Sequence, residues 1–365
     1  MIYINNLNAK VTKNKKKYLS IINEVFNSGM FTNGKHTNQF EINLKNYLDA
    51  RHCLSCANGT DALEITFKAL GLKRGDHVFI AANSGMYSSV SLMQIGITPS
   101  FYDIDKYNYG PSIKEIRKLP KKTKAIVITH LYGKCNEDIF KIKKFCEQRK
   151  IILIEDCAQA IGAKLNNKFA GTFGKASTFS FFPTKNLGAF GDAGAIIFKN
   201  KKTYEKAKMI KQYGWKQKYE VALPRGQNSR MDEIQAALLN YELKNLDHYN
   251  NIRLKIAKIY KKNINNKKIF VPKIHNNSLC NYHLFVIFVK NRNSLIKFLK
   301  KNEIIAQVHY PIPDFKQKIF SKKIQNLNLK NSIETSKEVL SLPCYPELKF
   351  KDVIKITKII NSWKA

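Results

Sequence analysis

The sequence predicts an α/β protein, with a large, mostly parallel mixed sheet flanked by helices and a smaller C-terminal α+β domain. Two observations predict it. Short apolar, β-branched or aromatic runs alternate with helical or loop segments through the first part of the chain, which is the pattern of strands joined by crossovers. After them a long stretch with few helix breakers, Met231 to about Ile264, leads into a region holding a strand, a helix, a Pro-rich turn and a last helix. These features predict a large domain over 1–240, N-terminal helices included, and a connector helix with the small domain over 241–365.

Each element has its own signal. Tyr18 to Phe26 places apolar residues at helical spacing and stops at Ser28-Gly29, and Phe40 to Leu48 reads as a second short helix. Asn58-Gly59-Thr60-Asp61 opens a third, whose Leu63, Phe67 and Leu70 share a face before Gly71 ends it. Strands are predicted at His77 to Ala82, Ala125 to Thr129, Ile151 to Ile154, Ser177 to Phe182 and Gly194 to Phe198. The small domain offers a strand at Tyr282 to Val289, a helix at Ser294 to Lys301, the turn His309-Tyr310-Pro311-Ile312-Pro313 and a helix from Asp352 to Trp363. Residues 264–281, rich in Asn and Lys, are the candidate mobile loop, and the chain shows no internal repeat.

Composition narrows the function classes. A chain of 365 residues with 44% hydrophobic content can build a sizeable core. Its start lacks the basic and apolar runs of a signal peptide, and no stretch approaches the ~18 apolar residues of a membrane span, so a cytoplasmic protein is expected. The formal charge of +36 raises the question of nucleic acid, but only eight of the 63 basic residues are Arg and the Lys runs are scattered. Readers of nucleic acid lean on Arg for bidentate contacts, so the expectation is no nucleic acid. A positive field would still draw an anionic substrate such as a sugar diphosphate, and a noncatalytic polyanion-binding protein is the alternative from another class. Seven cysteines without secretory context point to a reducing compartment. The lone pair Cys53 and Cys56 has no second pair and no His at zinc spacing, so no metal site is expected and both read as small buried residues.

In open α/β sheets ligands gather at the carboxyl ends of the strands, and there the conspicuous residues fall. The run Ile151-Ile152-Leu153-Ile154 ends in Glu155-Asp156-Cys157-Ala158-Gln159, so Asp156 would be a buried carboxylate in need of a cationic partner, unless it caps a helix or closes a structural ion pair. Downstream, Ser180-Phe181-Phe182-Pro183-Thr184-Lys185-Asn186-Leu187-Gly188 places a lysine among apolar neighbours where a solvated surface Lys is rarely found. A Lys on the loop after an aromatic strand, with a carboxylate thirty or so residues upstream, is the pattern of a pyridoxal 5'-phosphate (PLP) site. Lys185 would reach the cofactor aldehyde, Asp156 would hold the pyridine nitrogen protonated, and Gln159 would contact the phenolic oxygen or the ring. Gly59 and Thr60, at a helix start, and the Ser180 hydroxyl are the candidates for the phosphate, although a plain helix cap explains Asn58-Gly59-Thr60 equally well.

The chain resembles the DegT/DnrJ/EryC1/StrS family of PLP-dependent nucleotide-sugar aminotransferases nearly end to end. The resemblance rests on Ser28-Gly29 through Gly34, Asn58 to Leu63, Gly75-Asp76, Asp103-Ile104-Asp105, His130-Leu131-Tyr132-Gly133, Glu155 to Gln159 and the Lys185 block with Gly191-Asp192-Ala193-Gly194. Gly226 to Glu233, Gln235-Ala236-Ala237 and His309-Tyr310-Pro311 continue it. It implies a fold-type I aminotransferase, a homodimer with active sites at the interface, glutamate as amino donor and a nucleotide-diphosphate keto sugar as acceptor. It also implies that Lys185 is the Schiff-base lysine and proton carrier, that Gly59, Thr60 and Ser180 bind phosphate, and that Asn228 reaches the phosphate of the neighbouring subunit's cofactor. Candidates for the sugar and diphosphate are Tyr213, Lys218, Tyr219, Arg230, His309 and Tyr310. His130 to Gly133 and Lys185 to Gly194 look most like the enzymes that aminate C3 of dTDP-linked 3-keto-6-deoxyhexoses; amination at C4, or of a UDP-sugar, is the alternative. The chain departs from the family at Asn83-Ser84-Gly85-Met86-Tyr87, where either Met86 or Tyr87 would cover the ring, at Phe182 in place of a Tyr, and around Asp314-Phe315 in place of a His.

Overall fold

The computed structural model describes residues 1–106, 108–273 and 278–364. Its strands are β1 (His52–Cys56), β2 (His77–Ala81), β3 (Ser100–Tyr102), β4 (Thr123–Thr129), β5 (Ile152–Asp156), β6 (Lys164–Leu165), β7 (Lys168–Phe169), β8 (Ala176–Ser180), β9 (Gly194–Phe198), β10 (Trp215–Gln217), β11 (Glu220–Val221), β12 (Ile269–Phe270), β13 (Ser278–Leu279), β14 (Phe285–Val289) and β15 (Val339–Leu342). The α-helices are α1 (Leu7–Ser28), α2 (Lys35–Tyr47), α3 (Gly59–Ala69), α4 (Tyr87–Gln94), α5 (Ile113–Arg117), α6 (Ile139–Gln148), α7 (Lys201–Ile210), α8 (Glu233–Asn263), α9 (Arg292–Lys301), α10 (Lys322–Gln325), α11 (Lys330–Glu338) and α12 (Phe350–Ser362).

A seven-stranded sheet in the order β1-β9-β8-β5-β4-β2-β3 forms the centre. From β3 to β8 the pairs are parallel, whereas β8, β9 and β1 run antiparallel to one another, so the predicted mostly parallel mixed sheet is what forms. The central strands bury side chains on both faces: Ile126, Val127, Ile128 and Ile154 are fully enclosed. At about 1.5–3 kcal/mol for each such side chain, these strands are among the hardest parts of the molecule to displace. A second, three-stranded sheet, β12-β14-β15, carries its own core with α9 and α12. The long helix α8 packs on α1 and α2 near the large sheet and on α12 beside the small one. Two excursions link the regions: Ile2 bridges to Ile304, and Phe315 and Phe320 insert among Phe101, Ile80 and Phe67 of the large sheet's core.

Where elements differ from the sequence reading, long-range contacts supply the reason. Helix α1 starts at Leu7, earlier than its apolar pattern, because Asn6 caps it by accepting from the Ala9 amide and Lys10 pairs with the buried Glu242 of α8, while Lys13, Lys15, Lys16 and Lys17 stay exposed. Helix α2 starts at Lys35 because the Glu233 carboxylate accepts from the amides of Gly34, His36 and Thr37, a cap supplied from the start of α8. Strand β1 was not expected, since its run of Cys and Ser lacks β-branched residues; pairing with β9 fixes it, and it buries Cys53 and Cys56 as free thiols. The candidate mobile loop at 264–281 contains β12, paired with β14, and β13, paired with β6, while residues 274–277 of it lie outside the described residues. No helix among the described residues is long and apolar enough to cross a membrane.

Candidate active site

The carboxyl ends of the parallel strands open onto a cavity of about 650 Å³. Strand β5 delivers Asp156 to its floor and, one turn on, Gln159; β8 delivers Ser180, and the loop beyond it Lys185. Helix α3, entered from β1, presents Gly59 and Thr60, and the segment that Gln307 bridges to Ser341 of β15 presents His309 and Tyr310. Residues predicted from scattered positions thus meet in one place.

The electrostatics follow from enclosure. Asp156 is 4% exposed, and burial raises its carboxyl above the usual carboxylate range against the amide of Ala158, the charge of Lys185 and the Thr129 hydroxyl, which all favour the anion. Lys185 is pushed down to about 8 by burial, with Asp156 acting in the opposite direction. A lysine so placed has a usable neutral fraction near neutral pH, which an exposed one lacks. Gln159 is held from both ends: its Oε1 accepts from the Tyr132 amide at 2.7 Å and its Nε2 donates to the Tyr310 hydroxyl at 3.1 Å.

Beside these groups the backbone forms a cradle. A Cβ on Gly59 would lie 2.6 Å from that of Ser180, and one on Gly194 would lie 2.4 Å from the Asn58 carbonyl oxygen, so both glycines permit a close approach of helix start to strand end. Asn58 Oδ1 takes the Asp61 amide, which leaves the leading amides of α3, at Gly59 and Thr60, outside the helix's own ladder. Helix-start amides, a Ser hydroxyl, an enclosed carboxylate and an apolar-set Lys are the complement PLP needs: phosphate ligands, a pyridinium partner and an amine. The buried Thr178 hydroxyl, in register beside Asp156, has no partner among the described residues.

The other predicted residues divide. Tyr87 lines the cavity and meets Tyr310 edge-on, ring centroids 6.4 Å apart. Met86 instead turns its side chain into the large-sheet core, and its amide donates to Asp314. Tyr213, Lys218, Tyr219 and Arg230 lie outside the cavity of their own chain, around the β10-β11 hairpin: Trp215 packs on Tyr213 and Tyr219, Lys218 lies over the Tyr219 ring and Arg230 over that of Tyr213. Asn228, exposed and bridged to Gln212, belongs to the same region.

Several cavity residues escaped the sequence reading. Ile4 and Asn5 reach the wall because Asn5 Nδ2 donates to the Thr184 carbonyl, tying the N-terminus to the Lys185 loop. His283, on the approach to β14, lines the wall from the small-sheet side; a single His beside an apolar strand gave no signal for it. Asp314, in the stretch where the chain departs from the family's His, is fully buried and holds the 84–86 turn, accepting from the Ser84 hydroxyl and from the Gly85 and Met86 amides. His130, Glu155 and Cys157 cluster within reach of a common ion, but the ligand atoms of His130 and Glu155 are engaged. The Asn136 amide donates to His130 Nδ1, His130 Nε2–H donates to Glu155, and Glu155 takes the amides of Gly171, Phe173 and Gly174. This is a brace for the loop beneath the sheet.

Comparison with known proteins agrees with the geometry. The model of the DegT/DnrJ/EryC1/StrS aminotransferase family matches residues 12–361. The chain is 36% identical over 351 residues to the dTDP-3-amino-3,6-dideoxy-alpha-D-galactopyranose transaminase of Aneurinibacillus thermoaerophilus, covering 96% of each. It is 31% identical over 357 residues to the UDP-N-acetyl-3-dehydro-alpha-D-glucosamine 3-aminotransferase of Acidithiobacillus ferrooxidans, covering 97% of this chain and 96% of the other. Among solved structures it matches NtdA of Bacillus subtilis with bound cofactor PMP, with a TM-score of 0.88 at 30% identity, over 96% of this chain and 82% of that one.

Proposed function

The chain belongs to the DegT/DnrJ/EryC1/StrS aminotransferase family, a PLP-dependent sugar-nucleotide transaminase, and from that premise we propose that it moves an amino group from glutamate to C3 of a dTDP-linked 3-keto-6-deoxyhexose. The observation that carries the catalytic reading is the convergence of Lys185 and Asp156 on one cavity beside the Gly59–Ser180 cradle. For the sugar carbon, the names of both relatives put the amino group at position 3. For the nucleotide they differ, so a UDP-sugar is the second reading.

When bound, PLP supplies the aldehyde and the electron sink that labilises bonds to the amine-bearing carbon. Lys185 would supply the amine that holds the cofactor and, when free of it, the group that moves a proton at the substrate carbon; its depressed pKa of about 8 suits it both to take and to give that proton. Asp156 keeps the pyridine nitrogen protonated by charge. Gln159, itself clamped, would contact the ring, and Tyr87 would lie beside it. Gly59, Thr60 and Ser180 would hold the phosphate, with Asn228 completing the hold across a homodimer, and His309 and Tyr310 would meet the sugar. Donor and acceptor use the same site in turn, so the two half-reactions are ping-pong.

The test is spectroscopic first. Purified protein incubated with PLP should acquire a borohydride-sensitive chromophore, and Lys185→Ala should lose it together with more than about 10³-fold in turnover. Survival of the chromophore in Lys185→Ala would sink the catalytic reading. Mass spectrometry and NMR of products from dTDP- and UDP-linked keto sugars then decide the carbon and the nucleotide: an amine at C4, or preferential use of the UDP-sugar, overturns the proposed substrate.

A further inference from the structure

His283 is held more completely than packing requires. Asn186 Nδ2 donates both to Asn250 Oδ1 at 2.7 Å and to the Asn281 carbonyl at 3.0 Å, so the Asn186 Oδ1 can only accept. His283 Nδ1 sits 3.1 Å from that oxygen and must therefore carry the proton. The backbone is fixed as well: the His283 amide donates to Asn281 Oδ1, and its carbonyl accepts from the buried Arg253 guanidinium. The remaining nitrogen, Nε2, is a bare lone pair with no partner among the described residues; it is not fully enclosed, and His283 forms part of the cavity wall shared with Lys185. A neutral acceptor is thus presented, in a fixed tautomer, to the cavity that Lys185 also lines, close enough for the lysine's charge to act on the imidazole.

We propose that His283 is the acceptor that receives and aims the Lys185 amine whenever that amine is free of the cofactor, its tautomer set by the Asn250–Asn186 chain. No bond to carbon changes; a Lys185 N–H is shared with His283 Nε2 and the proton stays on the lysine. Burial, reinforced by the charges of Lys185 and Arg253, holds the imidazole well below the usual histidine range, so it remains an acceptor throughout. His283 is a positioning residue, since it acts through Lys185. Asp156 and His309 are the other titratable groups whose charge bears on this pair, and neither is altered in the variants that test it.

The inference rests on Lys185 being the reactive amine, and its test avoids turnover. In cofactor-free protein, acetylation of Lys185 by a water-soluble acetylating reagent is followed across pH by peptide mass spectrometry. Loss of the acceptor destabilises the ammonium, so His283→Phe should acetylate about three- to tenfold faster at pH 7 than the wild type, and His283→Gln, which restores an acceptor, should fall within about twofold of it. Equal rates in all three, or equal shifts in both variants, would overturn the proposal. A neutron structure of the wild-type apoprotein needs no variant: deuterium is expected on Nδ1 of His283 and none on Nε2, with Lys185 Nζ within about 3.2 Å of Nε2. Deuterium on Nε2, or an Nζ directed elsewhere, refutes it. Failure of PLP to attach to Lys185 would remove the functional reading while leaving these measurements intact.

Discussion

The cavity floor and the β10-β11 hairpin are built on opposite plans. At the floor, Asp156 and Gln159 are buried, and the residues around them sit at the ends of strands paired on both sides. In the hairpin, Tyr219 is 78% exposed and Val221 64%, and only two short strands pair. Tyr213, Tyr219 and Arg225 there adopt left-handed backbone angles, φ 60°, 72° and 63°, each costing roughly 1–2 kcal/mol for a residue with a Cβ. Close approach holds this bend together: a Cβ on Gly226 would lie 2.0 Å from the Tyr213 carbonyl carbon. An enclosed floor suits the reaction chemistry proposed for it, while the hairpin offers rings and cations outward, to something other than its own chain's cavity.

The sharpest way to break that contrast is at the floor itself. Asp156→Asn keeps the shape and removes the charge proposed to hold a pyridinium, and loss of one member of a buried charge pair costs about 3–5 kcal/mol. Turnover should fall by on the order of 10²–10³-fold with cofactor absorbance still present. Steady-state kinetics on the PLP-saturated variant checks it, and near-normal turnover would show that the floor does not set the chemistry.

Between floor and hairpin lies the rim, where Asp314 holds the turn that carries Tyr87. Burial pushes its carboxyl up to about 6, above that of an unfolded aspartate. The protonated form is therefore favoured by folding: this residue's contribution is complete below about pH 4 and lost as the pH rises through 6. Across that window Asp314→Asn should remove a loss of about 2–3 kcal/mol, so its unfolding free energy should vary less with pH than the wild type's. Parallel denaturant titrations at pH 4, 5, 6 and 7 read the difference. At the cradle, Gly59→Ala must push Ser180 away and should cost about 1–3 kcal/mol, with weaker retention of PLP on dialysis.

This gradient also explains what was legible in the sequence. Lys185, Asp156, Gln159 and Ser180 were readable because strand ends are marked by apolar runs that stop, and the residues just past each stop point into the site. Strand β1 was missed because its Cys and Ser letters carry no strand bias, and β3 because three residues give no period. The cap of α2 by Glu233 and the docking of Asp314 under the 84–86 turn join residues far apart in the chain, so no local pattern records them. His283 was hidden for a related reason: its role depends on which way Asn186 points, and that is decided by Asn250 on α8. At the rim the sequence left Met86 and Tyr87 open; packing separates them, sending one into the core and the other to the cavity.

The smallest effects belong to the hairpin, and they discriminate best. Arg230→Ala and Tyr219→Ala each remove one side of an exposed cation–ring contact, over Tyr213 and under Lys218 respectively, so stability should change by no more than about 0.5 kcal/mol. If the hairpin selects the nucleotide sugar across a dimer, each variant should raise KM for the sugar nucleotide about three- to tenfold, while KM for glutamate, kcat and the PLP spectrum stay near wild type. Glutamate, the proposed donor, provides the internal control, since it would use the floor and carries no nucleotide for a ring to stack on. A fall in kcat of a hundredfold would put the hairpin inside the chemistry and abolish the contrast with the floor. Unchanged KM for both substrates would leave its rings and cations to a purely structural task, for which 78% exposure of Tyr219 is a poor design.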